Sequence, residues 1–298
     1  CFTTSAGPGA AIGTIALRSA EFDADYQLPL VRLGDGRAVE VRRVERDAQP
    51  ILTIDNGRLE IDVTPGFAGT VSAIREDGVD HLLSPFPRVG QLGWLAPWHG
   101  GLTPVLIMPG DWDFPGKLRQ ATFEAETVSS CDGRGIEWQG VRQRAPLSLE
   151  GLVGLLLEID TLTVGGSPVV KQVMRFVNPT SVTRRLGATG WVAFVQPDGS
   201  YSRTTLWGPE PRKHSDRMYE IFTGHWAAAE NPDTGRALAL IAPRPDAGML
   251  SWGRDGGHLQ LLTQLTIPAR GTSEVIGYIV LADDIEAARR FAALKDLT

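Results

Sequence analysis

Two cysteines, Cys1 and Cys131, are all that 298 residues contain, so neither a disulfide framework nor a Cys-rich zinc motif can be built. Lysine is scarce too. It stands only at Lys117, Lys171, Lys213 and Lys295 while arginine is plentiful, a usage that suggests a GC-rich bacterial genome. The formal net charge is −6 and the pI about 5.4, which argues against a general nucleic-acid binder, because neutralising phosphates takes a basic surface. The arginine-rich stretches 42–46 and 184–185 read as solvated strand edges. No apolar run is long enough to span a bilayer, and no signal peptide is present in these residues. His81, His99, His214, His225 and His258 are scattered without HxH or HExxH spacing, so the spacing carries no warrant for a metal, and no cofactor is expected.

What the chain has is turns. Its 34 Gly and 20 Pro sit between short apolar runs, 42% of residues are hydrophobic and 21% charged. That composition describes a folded chain of many strands, in one large all-β domain or two smaller ones. Residues 56–83, NGRLEIDVTPGFAGTVSAIREDGVDHLL, carry the clearest pattern. Leu59, Ile61 and Val63 alternate with Glu60, Asp62 and Thr64, as in a strand buried on one face. Pro65, Gly66 and Gly69 break it, a second strand starts at Val71, and Asp77-Gly78 turns into a third.

Residues 1–13 are small and Gly/Pro-bearing, a flexible lead-in to a single domain over 14–298. Segments 13–17 and 38–44, around the turn 34–36, look like a strand pair or edge hairpin. Residues 84–118 read as a long irregular loop carrying Trp94, Trp98, His99 and Trp112; such loops are functional or pinned by packing. The strand pattern resumes at 121 and continues to 281. Only 284–294 reads as a helix, with an N-cap in Ala282-Asp283-Asp284 and a largely apolar side at Ile285, Ala288, Phe291, Ala292 and Leu294. More than a dozen strands and one terminal helix predict a large antiparallel two-sheet sandwich.

Cys1 admits three readings: the start of a fragment, an acylated cysteine followed by the small-residue tether 3–11, or an N-terminal nucleophile whose α-amine acts as base. The last needs sheets between helices, and the pattern offers no helices to flank them. These readings leave the localisation open between the cytoplasm and, with a lipidated Cys1, the cell envelope.

Asn56, the strand 59–63, Gly66 and Gly69, the strand 71–74, Asp77-Gly78 and the His-Gly-Gly at 99–101 together resemble the galactose mutarotase-like superfamily, the aldose 1-epimerases and their relatives. Residues 169–178, VVKQVMRFVN, are similar to the family's strand that ends in Asn, and 261–281 to its last strand pair. The resemblance covers about 50–281 and implies a supersandwich that binds sugar on a concave sheet face, with His99 among the contacts. It also implies a histidine acid on the strand after Asn178 and a glutamate base before the last strand pair. This chain departs at both, with Gly190-Trp191-Val192-Ala193-Phe194 at the first and Gln260 and Gln264 at the second. Glutamine takes no proton at neutral pH, so the epimerase mechanism lacks its standard groups.

His99 is the first candidate, as a hydrogen bonder to sugar hydroxyls or as a general acid, against a loop histidine held by stacking. His225, mid-strand beside Trp226, is the second acid or base candidate. Trp94, Trp98 and Trp112 are candidate stacking platforms, against pins that fix the loop to the sheet. Arg142 would suit a uronate carboxylate if the Trp138 face is concave, against an ordinary cross-strand pair. Trp191 is core or platform, Gln264 a substrate contact, and Glu158 with Asp160 share a strand face as a conceivable acid–base pair or as solvated charges. The expected function is that of a carbohydrate-binding protein. It extends to an aldose epimerase-like carbohydrate-active enzyme with atypical site residues. The alternative is a non-catalytic sugar-binding or accessory domain of a polysaccharide lyase or glycoside hydrolase system.

Overall fold

The computed structural model of the chain describes residues 7–19, 21–93, 95–111, 116–148, 150–201, 204–208, 213–214, 218–252 and 257–296. Two large antiparallel sheets face each other. The first runs, in spatial order, Met218–Gly224, Ala247–Trp252, Gly257–Ile267, Arg184–Ala193, Leu102–Leu106, Thr70–Glu76, Glu60–Thr64, Gln49–Asp55 and Glu40–Arg46, with Val79–Asp80 attached to Thr70–Glu76. The second runs Glu124–Cys131, Glu137–Leu147, Leu155–Thr163, Val169–Asn178, Gly271–Ala282, Ala237–Ile241, Trp226–Glu230, Thr205–Trp207 and Lys213–His214. This is the all-β two-sheet supersandwich expected from the strand pattern.

Alternation along each strand divides its side chains between the shared core and an outward face. Ile61 and Val63 point inward with Leu157, Ile159 and Met174 from the opposite sheet. Each such fully buried aliphatic side chain contributes roughly 1.5–3 kcal/mol. A second cluster lies on the outward side of the second sheet, under the helix Ile285–Arg290 and the 3-10 turn Phe291–Asp296 that continues it. Asp284 caps that helix by accepting from the Ala287 N–H at 2.6 Å, as its sequence position predicts. A third, smaller cluster of Leu95, Trp98, Val105, Val192 and Phe194 covers the outward side of the first sheet.

The two asparagines of the family pattern are structural staples. Asn56 donates to Thr163 Oγ1 at 2.7 Å and to the Ser167 carbonyl at 2.9 Å, and accepts from the Leu59 N–H at 2.7 Å. Asn178 donates to the carbonyls of Val182 and Pro268 at 2.8 and 3.0 Å. Each ties chain segments far apart in sequence, and each is buried with its polar atoms met.

Three sequence expectations differ from the structure. Gly9–Gly13 belong to a strand, so the lead-in is shorter than 1–13, and residues 1–6 lie outside the described residues. That strand, Gly9–Arg18, pairs with Asp23–Arg32, while Glu40–Arg46 pairs with Gln49–Asp55; the local turn wins over the longer one through 34–36. The segment 84–118 is not all loop. It contains the short hairpin Gly90–Leu92 with Leu95–Trp98, and the central strand Leu102–Leu106. Pro104 disguises that strand, since proline has no N–H for a ladder. The structure accommodates it where pairing is one-sided: all five residues pair with Arg184–Ala193, whereas Leu102 with Val71 is the one pair to Thr70–Glu76.

Candidate functional site

The loop that delivers His99 is fixed by backbone approach. Gly101 donates its N–H to the Leu83 carbonyl at 2.7 Å and accepts from the Phe194 N–H at 2.9 Å, and Leu83 donates to the Phe194 carbonyl at 2.8 Å. Gly100 and Gly101 have φ of 63° and 60°. A Cβ on Gly100 would lie 2.5 Å from the Leu83 carbonyl oxygen, and one on Gly101 2.3 Å from that of Val71. The two glycines are therefore dictated by the arch itself. Ser84 Oγ holds the His99 carbonyl at 3.1 Å.

His99 is 7% exposed and meets Phe67 edge-on, ring centroids 4.8 Å apart; Phe67 in turn meets Phe86 at 5.3 Å. Burial, helped by the positive charge of Arg119, lowers the imidazole below its ordinary pKa and keeps it neutral at pH 7. Its Nδ1 is buried with no hydrogen-bond partner among the described residues, and the same holds for Nε1 of the neighbouring Trp98. Trp98 packs edge-on against Phe194 at 5.4 Å, and Phe194 packs against His258 at the same separation. Burial pushes His258 down to about 4, against a hydrogen bond with Gln260 that favours its charged form. Register puts Gln260 opposite Val192 and Gln264 opposite Ala188, on the outward face with Phe194, His258 and Trp98. Gln264 is exposed and Gln260 half-buried.

The structure thus puts Trp98 on the outward face of the first sheet with Phe194 and His258, while Gln260 and Gln264 lie two and six residues along Gly257–Ile267 from His258. Trp94 and Trp112 lie outside the described residues. Trp191 points the other way, 2% exposed inside the shared core, so of its two readings the packing one describes its place. Arg142 stands on the second sheet, facing away from the first, and is held by both Asp160 oxygens at 2.6 and 2.7 Å. Glu158 and Asp160, the conceivable acid–base pair, are enclosed by Arg142, Arg144 and Arg175. Burial alone would raise Glu158, but hydrogen bonds from Arg144 and Arg175 outweigh it and hold it below its ordinary pKa. That suits an ion pair rather than a proton donor at neutral pH. His225 lies in the bend between Met218–Gly224 and Trp226–Glu230 rather than mid-strand, where the chain passes from one sheet to the other, its Nδ1 3.0 Å from the Ala242 carbonyl.

Sequence reasoning placed Phe194 on the strand where the resemblance implies an acid, but gave no site role to Phe67 or His258. The parity of 258, 260, 262 and 264 along Gly257–Ile267 could have flagged His258, since it falls on the same face as both glutamines. It also passed over His81, whose Nδ1 accepts the Asp198 N–H at 3.0 Å, which leaves the ring proton on Nε2. His81 lines a separate polar hollow of about 280 Å³ with Glu76, Asp198, Arg236 and Asp283. Among the described residues no group of three or more His, Cys, Asp and Glu is placed to hold a metal ion, and no helix is long and apolar enough to cross a membrane.

Solved structures with the same architecture define the class. A galactose mutarotase-like protein from Clostridium acetobutylicum superposes with a TM-score of 0.54 at 11% identity, over 82% of this chain and 98% of that one. A galactose 1-epimerase from Lactobacillus acidophilus gives 0.53 at 10% identity, over 82% and 99%. A TPR-domain containing protein from Parabacteroides distasonis gives 0.55 at 11% identity over 93% of this chain, which spans 54% of that protein's length. No family model matches the sequence, and no curated protein is similar enough to it to count as a match. The chain has the galactose mutarotase-like fold. Identities near one residue in ten carry that statement and nothing finer.

Proposed function

We propose that the protein binds carbohydrate on the outward face of the first sheet, with His99 and Trp98 as the central polar contacts. The observation that carries this reading is the pair of unmet ring nitrogens on consecutive residues, Trp98 Nε1 and His99 Nδ1. Leaving a buried polar atom without a partner costs roughly 1–3 kcal/mol, and a ligand hydroxyl that supplies the partner recovers that cost. Sugar hydroxyls donate and accept, so one can serve a neutral imidazole nitrogen and another an indole N–H. Among the aromatic neighbours the half-buried Phe86 suits the C–H face of a pyranose, while Phe67 and Phe194 are buried and hold the arch.

Binding is favoured over epimerisation. Anomer interconversion needs an acid and a base on opposite sides of the ring, and the two positions at which the family resemblance implies them hold Trp191, turned into the core, and glutamine. The test is calorimetry of wild type, His99→Ala and Trp98→Phe against a panel of neutral and acidic mono- and oligosaccharides. Weaker binding in both variants, with unfolding temperatures held, supports the reading; binding untouched in both removes it. Exchange NMR on aldose anomers should give rates no faster than buffer, and a clear acceleration would restore the epimerase reading.

A further inference from the structure

The hollow lined by His81 bridges the two sheets. Glu76, Asp77, Val79 and His81 come from the end of Thr70–Glu76 and the turn and short strand that follow it on the first sheet. Thr234 and Arg236 come from the turn between Trp226–Glu230 and Ala237–Ile241 on the second sheet, and Asp283 follows Gly271–Ala282. Asp198, on the 3-10 turn Pro197–Gly199, completes the wall.

Its polar groups divide into matched and unmatched. Arg236 pairs with Glu76 and Asp283, and Arg58 donates to Glu76 at 2.6 Å. Asp77 and Asp198 form no ion pair among the described residues. Four carboxylates thus stand against two guanidinium groups. At the floor, His81 is 1% exposed. Its Nδ1 accepts the Asp198 N–H, so the ring proton is on Nε2. Burial lowers the ring's pKa, against the charge of Asp198, and keeps it neutral at pH 7. No described residue accepts the Nε2 proton. Unlike the ring nitrogens of Trp98 and His99, Nε2 is not sealed off; it opens on the hollow that the ring lines. A buried donor without a protein acceptor calls for one from outside.

Those groups select among ligands. A protonated Nε2 offers no lone pair to a metal ion, and no described cluster is placed to hold one. The excess of carboxylates repels an anion. A volume of about 280 Å³ is at the small end of ligand clefts, the scale of one sugar ring. We propose that this hollow binds a protonated amino sugar, a hydroxyl oxygen accepting from His81 Nε2 and the ammonium facing the carboxylates of Asp77 and Asp198. None of these residues belongs to the His99 arch, so the proposal stands apart from the reading made there.

NMR of the imidazole signals of the full chain at pH 7 tests this, with glucosamine hydrochloride as the probe, glucose as its uncharged counterpart and ammonium chloride as the bare cation. Glucosamine should shift the His81 signals saturably and bind at least tenfold more tightly than glucose. The double variant Asp77→Asn with Asp198→Asn keeps both turns, because asparagine tolerates the left-handed φ of 52° and 57°. It should weaken glucosamine about tenfold and leave glucose and the unfolding temperature unchanged. His99→Ala should leave the His81 response as it is, which separates this site from the arch. The absence of a saturable shift at His81 overturns the proposal. So do equal affinities for glucose and glucosamine, an equal shift from ammonium chloride, or undiminished glucosamine binding in the double variant.

Discussion

On the outward face of the second sheet, Arg142 holds Asp160 with two bonds, Arg144 holds Glu158 at 2.8 Å, and Arg175 bridges Glu158 and Glu274 at 3.1 and 3.2 Å. On the outward face of the first sheet, around the arch 98–101, the imidazole of His99 and the indole of Trp98 each keep a buried nitrogen without a partner among the described residues. The first of these faces pairs Arg142, Arg144 and Arg175 with Glu158, Asp160 and Glu274. The other is held by backbone geometry and aromatic edges, and leaves polar atoms unmet. A network that satisfies itself supports a fold; a fixed site with open hydrogen-bonding capacity is where a hydroxylated ligand gains most.

The largest effect expected from breaking this contrast is at Gly101. An alanine there would sit in the left-handed region with its Cβ 2.3 Å from a backbone oxygen, and neither the φ nor the oxygen can yield. The left-handed cost of about 1–2 kcal/mol adds to about 1–3 kcal/mol for overpacking, so Gly101→Ala should lose about 3–4 kcal/mol in denaturant unfolding. Because no charge is involved, that loss should be the same at low and high salt. It should also abolish sugar binding, since the arch that aims His99 is gone.

Asp160→Asn probes the other face. It removes the carboxylate from a guanidinium that is 19% exposed, and leaving a largely enclosed charge without its partner costs about 3 kcal/mol. This loss should shrink as salt rises. Sugar affinity, measured by the same calorimetry as for His99→Ala, should stay at the wild-type value. A fall in affinity with Asp160→Asn would mean that the faces are not independent.

The strand around Leu59, Ile61 and Val63 and the cap at Asp284 were legible because each rests on local rules: period two and a side-chain cap; the glycines of the arch at 98–101 stand where the backbone must approach. Residues that depend on parity over a whole strand were less so. Trp191 could be core or platform from sequence, and a register shift between Leu186 and Ala188 decides it. Leu186 faces the core before the shift and Trp191 and Ala193 after it, so even and odd positions exchange sides within one strand. A bulge of this kind leaves little trace in a hydrophobic pattern except Gly187, whose Cβ would meet the Ile107 carbonyl oxygen at 2.3 Å. Arg142 and Asp160 were read on the right strand faces, but which sheet face is outward and already paired is a tertiary fact. Leu102–Leu106 was hidden by Pro104, and the pairing of 9–18 with 23–32 by a second turn signal at 34–36.

The smallest expected effect is the most diagnostic, because it sets one carboxylate from each sheet against the other. Burial raises Asp80, beside Thr70–Glu76 on the first sheet, from an ordinary 3.8 to about 6, against backbone hydrogen bonds from Leu82 and Ile74 and the charge of Arg75. A folded state that binds a proton more readily than the unfolded one is favoured by acid. Asp80's contribution is therefore complete below about pH 4 and is lost as pH rises through 6. Glu158, on the second sheet, lies below its ordinary 4.5, so its contribution is present above that value and is lost as pH falls through its own lower pKa. Unfolding temperature against pH should consequently rise from pH 7.5 to 5 on account of Asp80 and fall at stronger acid on account of Glu158. Asp80→Asn keeps an oxygen to accept the Leu82 and Ile74 N–H groups, removes the buried charge, and should raise the unfolding temperature by roughly 2 °C at pH 7.5 while flattening the rise toward pH 5. Glu158→Gln should do the opposite, lowering stability at pH 7.5 and softening the fall in acid. If Asp80→Asn lowers stability at pH 7.5, the first sheet's carboxylate is as well matched as the second's, and the contrast between the faces narrows to Trp98 and His99 alone.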